Sequence, residues 1–266
     1  MLLAINVGNS RISVGVFDDN GNIVSKFKIA SDFKKTYDEY YSLIGTILSN
    51  KEVDADHINA SIISSVVPQL TDTVKAVASG ISGCEPVIVG PGVKTGFLIK
   101  IDNPSELGGD IVANTAAMLE QNKKNGIGKR PSIIVDMNTV TTVSAINGND
   151  EYIGCCIFPG IQMSFESMRD TTALLPNVNC SSAKNAIGKN SQDSVRSGVI
   201  NGNAIMLDGF VYRFAKELKC RPDDINLTIT GEYAECVSGL CNQRYAYDED
   251  LTLRGLYVIY RNNINK

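Results

Sequence analysis

The run Leu2-Leu3-Ala4-Ile5-Asn6-Val7 leads into Gly8-Asn9-Ser10, and the same design returns at Ile133-Ile134-Val135-Asp136-Met137-Asn138-Thr139-Val140-Thr141-Thr142. In both places an apolar run reaches a short acid or amide residue, passes through a tight polar turn and resumes in β-branched residues. That is the pattern of a strand, a turn and a second strand. Each hairpin tip would present backbone N–H groups and small hydroxyl or amide side chains, and small residues let a backbone approach an anion closely. Two such tips facing each other across a cleft predict a site for nucleotide phosphates. A duplicated element in 266 residues also predicts two related halves.

Composition narrows the class. Hydrophobic residues make up 43% and charged residues 20%, as in a globular protein, and the formal net charge is -4. That balance argues against a nucleic-acid surface, which needs concentrated Lys and Arg. No basic leader and no apolar run of membrane-spanning length is visible, which predicts a cytoplasmic protein without membrane contact. The seven cysteines are scattered without a CxxC pair and the chain has one histidine, so neither a disulfide framework nor a Cys/His zinc site is expected. Cys155 and Cys156 read as buried, inert thiols.

Along the chain, short strands fill Leu2 to Ile29 around the turn Asp18-Asp19-Asn20-Gly21-Asn22. Phe33, Tyr37, Tyr41, Ile44 and Leu48 return at helical spacing and predict a helix from about Asp32 to Ser49. A strand over Ala60–Val67, a helix from Pro68 to Val77 and short strands at 87–89 and 97–101 follow. Pro104 opens a helix whose early turns hold Gly108, Gly109 and Asp110. The basic, glycine-containing segment Lys123 to Arg130 predicts a boundary, with an N-terminal domain over 1–125 and a C-terminal domain over 126–266. The second half repeats the order, with strands near 152–156 and 226–229 and helices near 161–168 and 191–218. Thr230-Gly231-Glu232 matches Ile62-Ile63-Ser64-Ser65. Strands followed by crossover helices predict α/β domains with mixed sheets.

Further segments occur in an order that is specific when taken together: Asn6-Val7-Gly8-Asn9-Ser10, Ser64-Ser65-Val66-Val67-Pro68, Asp102-Asn103-Pro104-Ser105-Glu106, Gly108-Gly109-Asp110, Pro159-Gly160-Ile161, Gly188-Lys189-Asn190-Ser191 and Leu251-Thr252-Leu253-Arg254-Gly255-Leu256. The set resembles type III pantothenate kinases of the acetate kinase, sugar kinase, Hsc70 and actin superfamily. The resemblance implies two RNase H-like, actin-like ATPase domains with mixed sheets flanked by helices. It implies a homodimer that phosphorylates pantothenate to 4'-phosphopantothenate, the first step of coenzyme A synthesis, with ATP, Mg2+ and a monovalent cation, K+ or NH4+. By resemblance, Asp110 is the general base, and Gly108, Gly109, Asp110 and Ser191 meet the substrate. Asn6, Gly8, Asn9, Ser10, Arg11 and Thr139 meet ATP, and Asp136 holds the monovalent cation.

The chemistry asks for such residues independently. A primary alcohol is a poor nucleophile, and a carboxylate within hydrogen-bond reach can take its proton during phosphoryl transfer. Simpler roles stand beside these. Asp110 could stabilise a helix N-terminus, Asp136 could end a strand as a turn former, and Thr141 and Thr142 read as β-branched strand residues. His57 reads as solvated, and Gly198 and Gly202, one helical turn apart, read as permitting close helix packing.

Departures from the family pattern cluster in one place. Asn6 stands where Asp is usual, removing a charge that helps place magnesium. Ile111 replaces an Arg fork for the pantothenate carboxylate, Ile101 replaces a Tyr, Asn138 a Gly, and Glu232 a Gly of a Thr-Gly-Gly turn. All point to weaker binding of metal, phosphate or carboxylate. Three functions are consistent with this: a pantothenate kinase, a catalytically impaired member acting as a binding or regulatory protein, and a kinase for another small alcohol.

Overall fold

The computed structural model describes residues 1–181 and 185–264 and divides into two compact units. The first comprises Met1–Phe97, Asp102–Lys124 and the segment from Asp250 onward; the second comprises Leu98–Ile101 and Asn125–Glu249.

In the first unit, β1 (Leu2–Val7), β2 (Arg11–Phe17), β3 (Ile23–Ala30), β4 (Ala60–Ser65) and β5 (Val87–Ile88) form a sheet in the order β3-β2-β1-β4-β5. β1 runs antiparallel to β2 and parallel to β4, with Asn6 opposite Ser13 on one side and Ser64 on the other. Alternation along β1 sends Leu3, Ile5 and Val7 into a core with Tyr40, Ile44 and Leu48 of α1 (Tyr37–Asn50) and Leu70, Val74 and Val77 of α2 (Pro68–Ser82). On the opposite face lie α3 (Gly109–Lys124) and α7 (Leu251–Ile264), where Leu253 approaches Gly15 and Tyr257 stacks on Phe17 with centroids 5.1 Å apart.

In the second unit the same order recurs. β6 (Leu98–Ile99), β7 (Ser132–Met137), β8 (Val140–Ile146), β9 (Glu151–Pro159), β10 (Asn226–Thr230) and β11 (Ala246–Tyr247) align as β11-β10-β7-β8-β9-β6. β7 is antiparallel to β8 and parallel to β10, with Asp136 opposite Thr230, so β7 and β10 repeat the roles of β1 and β4. β6 is an added edge strand. Ile133, Val135 and Met137 pack with Ile161 and Phe165 of α4 (Ile161–Thr171), with Val199, Ile200, Leu207 and Val211 of α5 (Ser191–Glu217), and with Val237 of α6 (Ala234–Ser238).

Boundaries differ from the sequence pattern where local hydrogen bonds win over periodicity. α1 starts at Tyr37, not near Asp32, because Thr36 and Glu39 form a capping box, Thr36 N donating to Glu39 Oε2 at 2.7 Å. Phe33 is left exposed. Pro104–Glu106 is a separate 3-10 turn capped by Asn103, and α3 begins only at Gly109, which puts Asp110 in its first turn. The expected buried pair Cys155-Cys156 is corrected in part: β9 alternates, so Cys155 faces outward while the Cys156 thiol is half-buried.

The α3–α7 contact depends on Gly255. A Cβ there would run into the backbone carbonyl of Ala113, and the two helices are joined further by Thr252 Oγ1 donating to Asn114 Oδ1 at 2.7 Å and Arg261 to Glu120 at 2.8 Å. Gly45 on α1 is the counterexample, with open space around its Cβ position. Gly255→Ala is therefore expected to lose about 1–3 kcal/mol of stability by overpacking, whereas Gly45→Ala gains about 0.5–1 kcal/mol from helix propensity. Paired urea melts test this, and equal signs for the two substitutions would refute the helix-contact account.

Candidate functional site

The first hairpin tip is closed by its own backbone, Gly8 N donating to Arg11 O at 2.9 Å. Ser31 braces it from β3's end, its hydroxyl donating to Gly8 O at 2.6 Å and its N–H to Ser10 O at 3.1 Å. A Cβ at Gly8 would stand 3.1 Å from Arg11 O. Asn9, Ser10 and Arg11 are exposed on this fixed turn, where small groups and a cation can meet an anion.

Just behind the tip, β1, β4 and the start of α3 converge. Asn6 and Ser64 are register partners, and among the described residues neither Asn6 Oδ1 nor Ser64 Oγ, both buried, finds a hydrogen-bond partner. An unsatisfied buried polar atom costs about 1–3 kcal/mol, so two side by side need a reason. Gly109 sits directly against Ser64, since a Cβ there would lie 2.6 Å from Ser64 Oγ. Asp110 follows, its Oδ1 accepting from Ile111 N at 2.8 Å. A Cβ at Gly108 would lie 2.7 Å from that same Oδ1, so both glycines are dictated by the side chains they pass. Burial pushes the Asp110 carboxyl above the usual range, and the N–H groups of Ile111 and of Asp110 itself pull it only part of the way back. Ile111 is 9% exposed and faces the core, so no guanidinium fork stands there.

The second tip is gripped more tightly. Gly160 lies against the carbonyls of Asn138 and Thr139, and Gly231, at φ 101°, would bring a Cβ to 2.5 Å from Met137 N. Gly160 N donates to Thr139 O at 3.2 Å. Asp136 is buried, and Asn138 Nδ2 donates to its Oδ1 at 2.5 Å. Asn138 Oδ1 in turn accepts from Glu232 N at 3.2 Å, tying the hairpin to the turn after β10. Thr139 is half-buried at the tip, and Thr141 is a fully buried strand residue.

Ser191 is exposed at the first turn of α5, after Asn190, whose side chain caps the helix through Asp193 N at 2.8 Å. Among the described residues no three or more His, Cys, Asp or Glu side chains gather as a metal cluster. His57 is exposed and pairs with Asp54 at 3.0 Å. The space beside Gly198 and Gly202 is open on the described chain, so the close packing expected of them is not made within it. Ser64, Gly160 and Gly231 stand in the matching sequence motifs, but sequence reasoning assigned none of them a role of its own. The repeat itself carried the signal for Ser64, because Asn6 pairs with Ser64 just as Asp136 pairs with Thr230.

The profile of the family described as type III pantothenate kinase matches residues 2–213. Among solved structures, a conserved, provisionally assigned Baf family transcriptional activator from Campylobacter jejuni is 18% identical with a TM-score of 0.59, covering 99% of this chain and 100% of its own. A provisionally assigned 2-dehydro-3-deoxygalactonokinase from Sinorhizobium meliloti is 11% identical with a TM-score of 0.57, over 98% of this chain and 99% of its own. The activator of 2-hydroxyisocaproyl-CoA dehydratase from Clostridium difficile, solved with bound ADPNP, is 9% identical with a TM-score of 0.50, over 97% and 93%. These structures share the fold, that of actin-like ATPases and sugar kinases. No helix among the described residues is long and apolar enough to cross a membrane.

The raised pKa of Asp110 has a sign that melting can read. Its contribution to stability is fully present below the unfolded-state pKa and is lost as pH rises through the folded-state value. At neutral pH Asp110→Asn is therefore expected to melt above the parent chain, with the gap closing toward about pH 4, where the parent's carboxyl is protonated. A variant that melts lower at every pH would show that the carboxylate is instead held by the fold.

Proposed function

The chain belongs to the type III pantothenate kinase family, and from that membership we propose that it transfers the γ-phosphoryl group of ATP to the primary hydroxyl of pantothenate, giving 4'-phosphopantothenate, the entry to coenzyme A synthesis in the cytoplasm. The observation that carries this is the carboxyl of Asp110, desolvated at the start of α3 beside Gly109, which lies against Ser64 Oγ, a buried oxygen without a partner among the described residues.

In this reading Asp110 is the general base. Its raised pKa makes its ionised form a stronger proton acceptor. As the alcohol oxygen forms its bond to the γ-phosphorus, its proton passes to Asp110, and the bond from that phosphorus to the β–γ bridging oxygen breaks to release ADP. Gly108 and Gly109 meet the substrate through their backbone, and Ser191 supplies a hydroxyl to it. Gly8, Asn9, Ser10 and Arg11 at one tip and Thr139 at the other meet the nucleotide. Asn6 Oδ1 suits the magnesium that accompanies ATP: it is a neutral, buried oxygen with no partner among the described residues, and magnesium is commonly held by few protein groups plus phosphates and water. When bound, that ion supplies charge neutralisation at the phosphates.

A second reading draws on Ile111. With an apolar side chain facing the core where the family has a guanidinium, a neutral small alcohol would meet less penalty than a carboxylate. The amide at Asn6 favours a third, a catalytically weak member that binds or regulates.

Dimerisation fits one stripe of α5. Gly198, Gly202, Ile205, Gly209 and Tyr212 follow each other at intervals of four and three residues; the glycines have open space beside them, and Ile205 and Tyr212 are 70% and 59% exposed. That spacing is the seam of a packed helix pair.

ADP release with ATP and pantothenate, or a panel of small alcohols, separates the three. Turnover that falls by about 100-fold or more in Asp110→Asn, and that in the parent chain rises with pH through an apparent pKa above the ordinary carboxylate range, supports the base. The alcohol giving the highest kcat/KM identifies the substrate, and no turnover from a folded protein supports the binding role. Asn6→Asp with Ile111→Arg is expected to raise activity in a weakened kinase. In light scattering, Ile205→Asp is expected to convert a dimer to a monomer, and an unchanged mass refutes the α5 seam.

A further inference from the structure

We propose that the second hairpin carries an internal stand-in for its cation: the Asn138 amide binds Oδ1 of the Asp136 carboxylate where K+ or NH4+ is expected, so this chain holds its phosphate-side tip without a monovalent ion. The donor set carries the inference. Asn138 Nδ2 donates to Asp136 Oδ1 at 2.5 Å, while Asn138 Oδ1 accepts from Glu232 N at 3.2 Å.

The orientation of the amide follows from these two partners. A backbone N–H can only donate, so the amide oxygen of Asn138 faces Glu232 N and its nitrogen faces Asp136. The side of Asn138 that faces Asp136 is thus the positive end of the amide dipole, which repels a cation and fills the space beside the oxygen. Asp136 is 7% exposed, and a carboxylate so buried needs a compensating donor.

The tip has no freedom to swing away, because Gly160 lies against the carbonyls of Asn138 and Thr139, and Gly231 against the backbone of Met137. A glycine at 138 would remove this donor and open the carboxylate toward an ion. Among the described residues no cluster of acidic side chains offers a replacement site. The expected monovalent ion therefore does not fit Asp136 as the side chains stand.

The inference rests on the second hairpin being the phosphate tip of the proposed kinase, but its test needs neither nucleotide nor turnover, so the two fail separately. The full-length chain and Asn138→Gly are melted in KCl, NH4Cl and choline chloride at matched ionic strength. The parent chain is expected to melt within about 1 °C in all three. Asn138→Gly is expected to melt several degrees lower in choline chloride and to recover as KCl rises, with saturation. A saturable, potassium-specific rise in the parent overturns the proposal, as does an Asn138→Gly variant indifferent to potassium. Should that variant not fold, Asn138→Ala takes its place in the same comparison.

Discussion

A parallel strand pair ends both of its strands at the same edge of a sheet, and the candidate site depends on that constraint. β1 with β4, and β7 with β10, each bring a short polar side chain next to another at matching register: Asn6 with Ser64, Asp136 with Thr230. The hairpin partner of the first strand then fixes where the chain turns, so each tip stands directly beyond its polar pair. The apolar residues preceding Asn6 and Asp136 hold the strands in the cores, and the polar pairs come at the strand ends, where the cores stop. Ligand groups of open α/β sheets gather at such carboxyl ends for this reason.

The two tips solve the same problem with different chemistry. At the first, Asn6 Oδ1 and Ser64 Oγ are buried without partners among the described residues, and Asp110 is held at a desolvation cost. Such groups weaken the fold and are retained where they meet something from outside. At the second, a buried carboxylate is answered from within by Asn138, and two glycines clamp the backbone. One tip keeps its strand-end pair poised, whereas the other answers its carboxylate from within.

Much of this was legible in the residues. Strand alternation, the duplicated hairpin and the order of short motifs together indicated two mixed α/β units and the family, because period and repeat are properties a sequence carries openly. What stayed hidden depends on side chains meeting over long separations. The start of α1 moved because Thr36 and Glu39 close a capping box, which competes with the periodicity of Phe33 and Tyr37. Asp110 could be named from its motif, but its desolvation could not, since that follows from what α3 packs against. Asn138 read as an obstacle to phosphate; its bond to Asp136 shows the same amide serving as a brace. Gly255 sat unremarked in a motif until the Ala113 carbonyl was seen against it.

The return of the last helix to the first unit orders events during synthesis. α7 covers the face of β1 and β2 from which Gly15 and Phe17 project, and Gly255 is the point at which it locks onto α3. On the ribosome, the first unit emerges with that face lacking α7, and the long stretch of the second unit from Asn125 to Glu249 must be translated before this cover arrives. Vectorial folding is thus inverted: the later-made unit has its complete set of strands before the earlier one can close, and the nascent chain carries an exposed sheet face that a chaperone could shield meanwhile.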